Sequence, residues 1–389
     1  MKHFKRRLFL SLMLAPLFLL QAHAARAADA PGAQAPATLD LDAVLKQAME
    51  GTRTPALGAL VMRDGKVMAQ AVRGVRRNDQ AEVVRSADVW LIGSTAKPMT
   101  VALVAKLVDR GVLSWDAPLA QMLPELAGSM RAEYRAVTLV QLLSHHSGLP
   151  ENIGDVKLLD GFFTDARPLP VQRLALVSAA LKEAPVAAPG TAFVYCNTGF
   201  LIAAVIAERA AGADFEELMR REVFQPLGMA SAGFGPTVDG QPRGHRAGKP
   251  VTAPMTKSDD GVPMVYTAAG NLHMTLQDWA KFCLDQLAGS RGDGKLLKPA
   301  SYALMQTAQP GSPSGMDWGV QASIAGRAGP VLVHGGSDGN WLAWAVLFPK
   351  ADTGVLVVAN ATEDMGGDKA TRAVMASLFA ELSPAKREE

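Results

Sequence analysis

Strand-forming patterns gather at the two ends of this chain, and helical patterns fill the stretch 94–300 between them. Near the start, Leu57–Met62 and Val67–Val72 flank Asp64-Gly65, a pair that accepts the positive φ angles of a tight hairpin turn. A short helix over Asp40–Met49 precedes the hairpin. Toward the far end, Val331–Val333, Trp341–Phe348 and Gly354–Val358 read as strands, and Asp368–Leu382 reads as a closing helix. In the middle, Thr100–Val108 is apolar nearly all round, as expected of a helix inside a helical layer. Asn197–Ala211 gives a second apolar helix, ended by Gly212. No internal repeat and no linker divides this middle. The expected fold class is α+β, with one antiparallel sheet joining N- and C-terminal strands and a large helical insert between them, rather than alternating βαβ units. The domain spans 39–382, its sheet region about 39–85 and 301–382 and its helical region about 86–300, followed by a polar tail at 383–389.

The first residues carry a different signal. Lys2, Lys5, Arg6 and Arg7 precede an apolar run from Leu8 to Leu20, and Ala22-His23-Ala24 and Ala25-Arg26-Ala27 offer small-x-small cleavage sites. This is the layout of a secretory signal peptide at 1–27, too short in its apolar part for a membrane span. An Ala/Pro-rich leader at 28–38 follows. The expected location is therefore periplasmic or secreted, with no stable membrane span after cleavage. Loss of those four cations takes the formal charge from +2 to −2, and no concentrated basic face remains to hold nucleic acid. Cys196 and Cys283 are too few for a disulfide framework and are expected as free, buried thiols.

Three short motifs carry the chemistry. Ser94-Thr95-Ala96-Lys97 enters the first apolar helix, with serine and lysine one turn apart on one face. A hydroxyl becomes a nucleophile when a neighbouring base takes its proton, and a lysine amine can serve if burial or nearby cations lower its pKa. The spacing alone says little, since Ser383-Pro384-Ala385-Lys386 matches too, in a polar tail with no apolar helix behind it. Tyr195-Cys196-Asn197 follows the Pro189-Gly190 turn, and Asn197 is placed to cap the helix it opens. His334-Gly335-Gly336-Ser337 ends a strand; its two glycines are expected to let a substrate lie against the strand edge, with backbone N–H groups aimed at an oxyanion.

Taken in this order, the three motifs resemble those of the class C β-lactamase superfamily of penicillin-recognising serine hydrolases, whose members include DD-peptidases, D-amino-acid peptidases and family VIII esterases. The resemblance runs through Thr138–Pro150, Asp116–Leu126, Pro189–Phe200, Phe224–Met229 and Ala268–Phe282, covering about residues 40 to 380. It implies a β-lactamase/transpeptidase-like fold and an acyl-enzyme on Ser94, with Lys97 and Tyr195 managing the proton. It also implies that Asn197 holds Lys97 or the substrate, and that the backbone N–H groups of Ser94 and Ser337 form an oxyanion hole beside His334, Gly335 and Gly336. No cofactor and no metal ligand set is implied. The substrates implied are small esters, amides, D-amino-acid peptides or β-lactams.

Rival readings are weaker. Gly335 to Gly339 fits the G-x-S-x-G elbow of α/β-hydrolases, but the segment after it reads as a strand and no histidine follows. His145-His146 lacks metal-ligand spacing, and His145 falls at a structural position of the resembled signature. A non-catalytic penicillin-binding or peptidoglycan-sensing module would be marked by loss of the serine, lysine or tyrosine, and all three are present. A class C-like β-lactamase remains the alternative. His334-Gly335 stands where those enzymes carry Lys-Thr to grip a substrate carboxylate, which favours esterase or peptidase chemistry.

Overall fold

Every residue of Thr353–Ala359 is buried, and its side chains divide strictly by the two-residue strand period. Val355, Val357 and Ala359 point to one apolar cluster, while Leu356 and Val358 point to another. A strand covered on both faces needs a layer on each side, and that requirement organises the molecule. The computed structural model describes residues 39–251 and 261–381. The segments read as a signal peptide and leader, and the tail with its second Ser-x-x-Lys copy, lie outside the described residues.

The central sheet contains β1 (Ala56–Arg63), β2 (Lys66–Gly74), β3 (Gly319–Ile324), β4 (Arg327–Ser337), β5 (Leu342–Phe348) and β6 (Thr353–Ala359), in the order β2-β1-β6-β5-β4-β3. All neighbours are antiparallel. The N-terminal hairpin docks on the last strand with Leu57 opposite Ala359 and Val61 opposite Val355. The sheet is thus closed by the two ends of the chain, as the strand patterns predict. β3 is the addition. It is an edge strand in which Val320, Ala322 and Ile324 alternate with Gln321 and Ser323, and of its residues only Ile324 is fully buried.

Helices α1 (Leu41–Met49) and α6 (Gly367–Glu381) cover one face through Leu41, Leu45, Val374 and Leu378. Asp40 caps α1, its carboxylate accepting from the Ala43 N–H. The opposite face carries the helical region, including α2 (Lys97–Asp109), α3 (Leu139–Leu143), α4 (Asn197–Ala211) and α5 (Leu276–Gly289). In α4 the first eleven residues are buried, and the helix ends at Gly212 in the left-handed conformation, φ 65°. Among the described residues, no helix is long and apolar enough to cross a membrane.

Candidate active site

The site forms where the helical region meets the end of β4. The chain reaches it through Trp90-Leu91, makes a 3₁₀ turn over Gly93–Ala96, and continues into α2, whose second residue, Pro98, suits a helix start. Gly93 has φ 53°, and a Cβ on it would lie 2.5 Å from the Ser337 nitrogen. A Cβ on Gly336 would lie 2.8 Å from the nitrogens of Ser94 and Thr95. Each glycine therefore lets the Ser94 turn and the strand end touch, which brings the backbone nitrogens of Ser94 and Ser337 close together. This revises the expected role of the glycines. The space beside Gly336 is taken by the Ser94 turn, and the space beside Gly335 by the Trp344 ring, 2.7 Å from where a Cβ would stand. The open strand edge has another cause: pairing of β3 with β4 ends at Gly319 opposite Val333, so His334–Ser337 pair with β5 alone.

Ser94 is buried, and its hydroxyl oxygen accepts from the Lys97 ammonium at 2.9 Å. Lys97 is wholly buried; it also donates to the Ala269 carbonyl at 2.5 Å and lies 5.0 Å from the centre of the Tyr195 ring. Burial lowers its pKa to about 8, against the opposing pull of Asp317, Cys196 and Glu151. The neighbours are thus anions or potential anions rather than cations, and desolvation alone does the lowering. The Tyr195 hydroxyl is buried near Ser94 without a partner at full hydrogen-bond geometry. Burial first, and the Asp317 charge second, push its pKa well above the ordinary phenol range.

Asn197 is buried but does not cap α4. Cys196 occupies the cap, its sulfur accepting from the Gly199 N–H at 3.2 Å, because a helix that starts at Asn197 leaves that side chain already inside the first turn. The freed Asn197 amide donates to the Asn152 side-chain oxygen at 3.0 Å, tying α4 to the loop after α3. Of the two partners the resemblance implies for Asn197, Lys97 or the substrate, Lys97 is not bonded. Glu151 sits beside it with one carboxylate oxygen buried and unpartnered. Burial raises its pKa, with the Lys97 charge opposing. Cys196 and Cys283 are free and buried.

Asp317, which belongs to none of the three motifs, lies at the centre of the site. It is buried, with φ 70°, and links two histidines. His145 donates from Nε2 to its Oδ1 at 3.0 Å, and His334 Nε2 stands 2.7 Å from Oδ2 in an ion pair. Burial opposes ionisation of this carboxyl, yet the His334 charge and the His145 hydrogen bond outweigh it and hold the pKa below the usual carboxylate range. His145 accepts the Cys196 N–H at Nδ1 over 3.0 Å, and its ring stacks on Tyr195 with centroids 4.6 Å apart. His334 turns Nδ1 to the Gly335 carbonyl at 2.8 Å. Both of its nitrogens are therefore spent inside the protein. The only sequence clue to Asp317 is an acid set between Met316 and Trp318.

The segment that resembled a nucleophile elbow is a tight turn. Asp338 accepts from the N–H groups of Asn340 and Trp341 at 2.8 and 3.0 Å and sends the chain back as β5, not as a helix.

The chain is similar to known proteins in both sequence and fold. The beta-lactamase family model matches residues 41–379. The chain is 30% identical over 233 residues to esterase EstB of Burkholderia gladioli, covering 55% of this chain and 58% of the esterase. It is 31% identical over 260 residues to penicillin-binding protein 4 of Amycolatopsis lactamdurans, 65% of each chain. These two matches thus span less than two thirds of either relative. A longer match, 26% identical and covering 91% of each chain, is to the D-alanyl-D-alanine-carboxypeptidase/endopeptidase AmpH of Escherichia coli K12. In fold, the chain is similar to an octameric penicillin-binding protein homologue from Pyrococcus abyssi (TM-score 0.70, 23% identity, 87% of this chain and 77% of the other). A class C beta-lactamase from Rhodobacter sphaeroides superposes with TM-score 0.66 at 20% identity, covering 87% of this chain and 99% of that one.

Proposed function

Because the chain belongs to the beta-lactamase family, we propose that it is a serine hydrolase that cleaves small esters or amides, including D-amino-acid peptides, through an acyl-enzyme on Ser94. The observation that carries this reading is the 2.9 Å contact between Ser94 Oγ and the Nζ of a fully buried Lys97 whose pKa falls to about 8. Near neutral pH a usable minority of that amine is unprotonated, whereas Tyr195 is held firmly as the phenol. Lys97 is accordingly assigned as the base and Tyr195 as the relay to the leaving group.

In the acylation step, Ser94 Oγ bonds to the substrate carbonyl carbon and its proton passes to Lys97. The carbonyl oxygen, now an oxyanion, faces the N–H groups of Ser94 and Ser337. Collapse breaks the bond to the leaving group, which takes a proton from Lys97 through Tyr195. Water then attacks the ester carbon by the same relay, releasing the acid and restoring the serine. Residues 1–27 are read as an export signal that would place this chemistry outside the cytoplasm.

The relatives named as an esterase, a carboxypeptidase/endopeptidase and a penicillin-binding protein support the substrate range without choosing within it. Intact-mass analysis after exposure to p-nitrophenyl esters, D-Ala peptides and penicillins tests the proposal. An acyl adduct on Ser94 is expected, and absent from Ser94→Ala. Turnover with no adduct, or an adduct elsewhere, refutes it.

A further inference from the structure

We propose that Asp317 is the positioning residue of this site, a single carboxylate that fixes Tyr195 through His145 and the oxyanion-hole end of β4 through His334. The inference rests on the hydrolase reading above and assigns one further residue to it. Its two oxygens go to opposite walls of the cleft. Oδ1 reaches His145, whose other nitrogen holds the Cys196 N–H and whose ring supports Tyr195. Oδ2 lies 2.7 Å from Nε2 of His334, two residues before Gly336, where β4 presses against the Ser94 turn. The chain accepts two costs to make this link. An ionised carboxylate is buried, and a non-glycine residue takes φ 70° where glycine would be at ease. Nothing in packing alone calls for an acid there, since the segment Met316–Trp318 is otherwise apolar and buried.

The charge matters as well as the shape. His334 places Nδ1 2.8 Å from the Gly335 carbonyl oxygen and Nε2 2.7 Å from the Asp317 carboxylate, so both ring nitrogens face oxygen. The groups acting electrostatically on this cluster are Lys97 from α2, Glu151 from the loop after α3, and Tyr195 and Cys196 from the entry to α4. Asp317 opposes the loss of the Lys97 proton and disfavours the Tyr195 phenolate.

Two variants separate shape from charge. Asp317→Asn keeps the tie: its oxygen still accepts from His145, and its amide donates to His334 Nε2 while Nδ1–H stays on the Gly335 carbonyl. Asp317→Gly suits the backbone and removes the tie. With p-nitrophenyl acetate, the glycine variant is expected to lose on the order of 10²-fold in kcat, with a smaller change in KM, as for a misplaced catalytic group. The asparagine variant should recover most of that loss, but the acid limb of its kcat/KM profile should move to lower pH, because the neutral amide no longer supports the Lys97 ammonium. A purely structural role would change the melting temperature and leave the profile in place. A folded glycine variant with wild-type kcat, or an asparagine variant with an unmoved profile, overturns the proposal; if the glycine variant does not fold, the asparagine profile decides. Failure of the hydrolase reading itself would appear separately, as a wild-type protein that neither turns over esters nor labels at Ser94.

Discussion

Replacing Lys97 with methionine removes the proposed base and also relieves the fold of a buried ammonium. The pKa of Lys97 falls from 10.5 to about 8 on folding, with burial as the leading cause. A tenfold change in an ionisation equilibrium corresponds to about 1.4 kcal/mol, so at pH 7 the charged lysine costs the native state about 3 kcal/mol relative to a lysine with an ordinary pKa. The substitution leaves the Ala269 carbonyl without its donor, an offset of about 1–3 kcal/mol. Lys97→Met should therefore be as stable as wild type at pH 7, or more stable by up to about 2 kcal/mol, while having no esterase activity. The pH dependence is the sharper test. Between the folded and unfolded pKa values of this lysine the unfolded chain binds the extra proton, so wild-type stability contributed by this group rises from about pH 8 toward pH 10. The variant lacks that rise, and its advantage should shrink across the window. Urea unfolding of both proteins at pH 7, 8.5 and 10 measures the difference. A variant clearly less stable at pH 7, with a gap that does not change with pH, would show that Lys97 is not held in a desolvated, charge-disfavouring site.

Ser94→Ala should abolish labelling by a fluorophosphonate, whereas Ser337→Ala should keep most of it, because the Ser337 hydroxyl is occupied in accepting the Gly339 N–H; gel fluorescence of both variants decides. The kcat/KM of wild type for a neutral ester should rise with pH through about 8 as Lys97 loses its proton, and a profile flat between pH 7 and 9 would contradict Lys97 as base. Small neutral esters should be better substrates than penicillins, since both His334 nitrogens are engaged within the protein and no threonine hydroxyl stands at Gly335; a missing charge-assisted contact is worth roughly 1.5–3 kcal/mol, or about tenfold to a hundredfold in kcat/KM. Nitrocefin turnover a hundredfold above that of every ester would reverse this ordering. Restoring a threonine by Gly335→Thr should destabilise the fold by about 1–3 kcal/mol, because its Cβ would lie 2.7 Å from the Trp344 ring; thermal melts with and without a smaller residue at 344 would reveal the clash.

Several features depend on local pattern and are legible along the chain. The Asp64-Gly65 hairpin, the apolar strands near the C terminus and the helix Asn197–Ala211 are each encoded by neighbours in sequence, through turn chemistry and periodic burial. So is the pairing of Ser94 with Lys97, because one helical turn brings them together wherever the helix lies. The edge strand Gly319–Ile324 leaves a weaker mark, because its alternation is short and rests on the small Ala322 as well as on Val320 and Ile324. Cys196 displaces Asn197 from the cap because the helix begins one residue earlier than that role requires.

What the tertiary structure alone decided is the environment of the motifs. The fall in the Lys97 pKa is a desolvation effect and depends on α2 being enclosed by other helices, which no spacing of residues specifies. The glycines at Gly93 and Gly336 are explained only by the contact between the turn and the strand end, more than two hundred residues apart in sequence. Asp317 is the extreme case. Its partners lie on the loop after α3 and on β4, and an aspartate between two apolar residues carries no sign of either. Helical spacing and turn propensity act over a few residues and can be read along the chain, whereas desolvation and the meeting of distant carboxylate and imidazole groups arise only when the sheet closes the two ends of the protein around the helices.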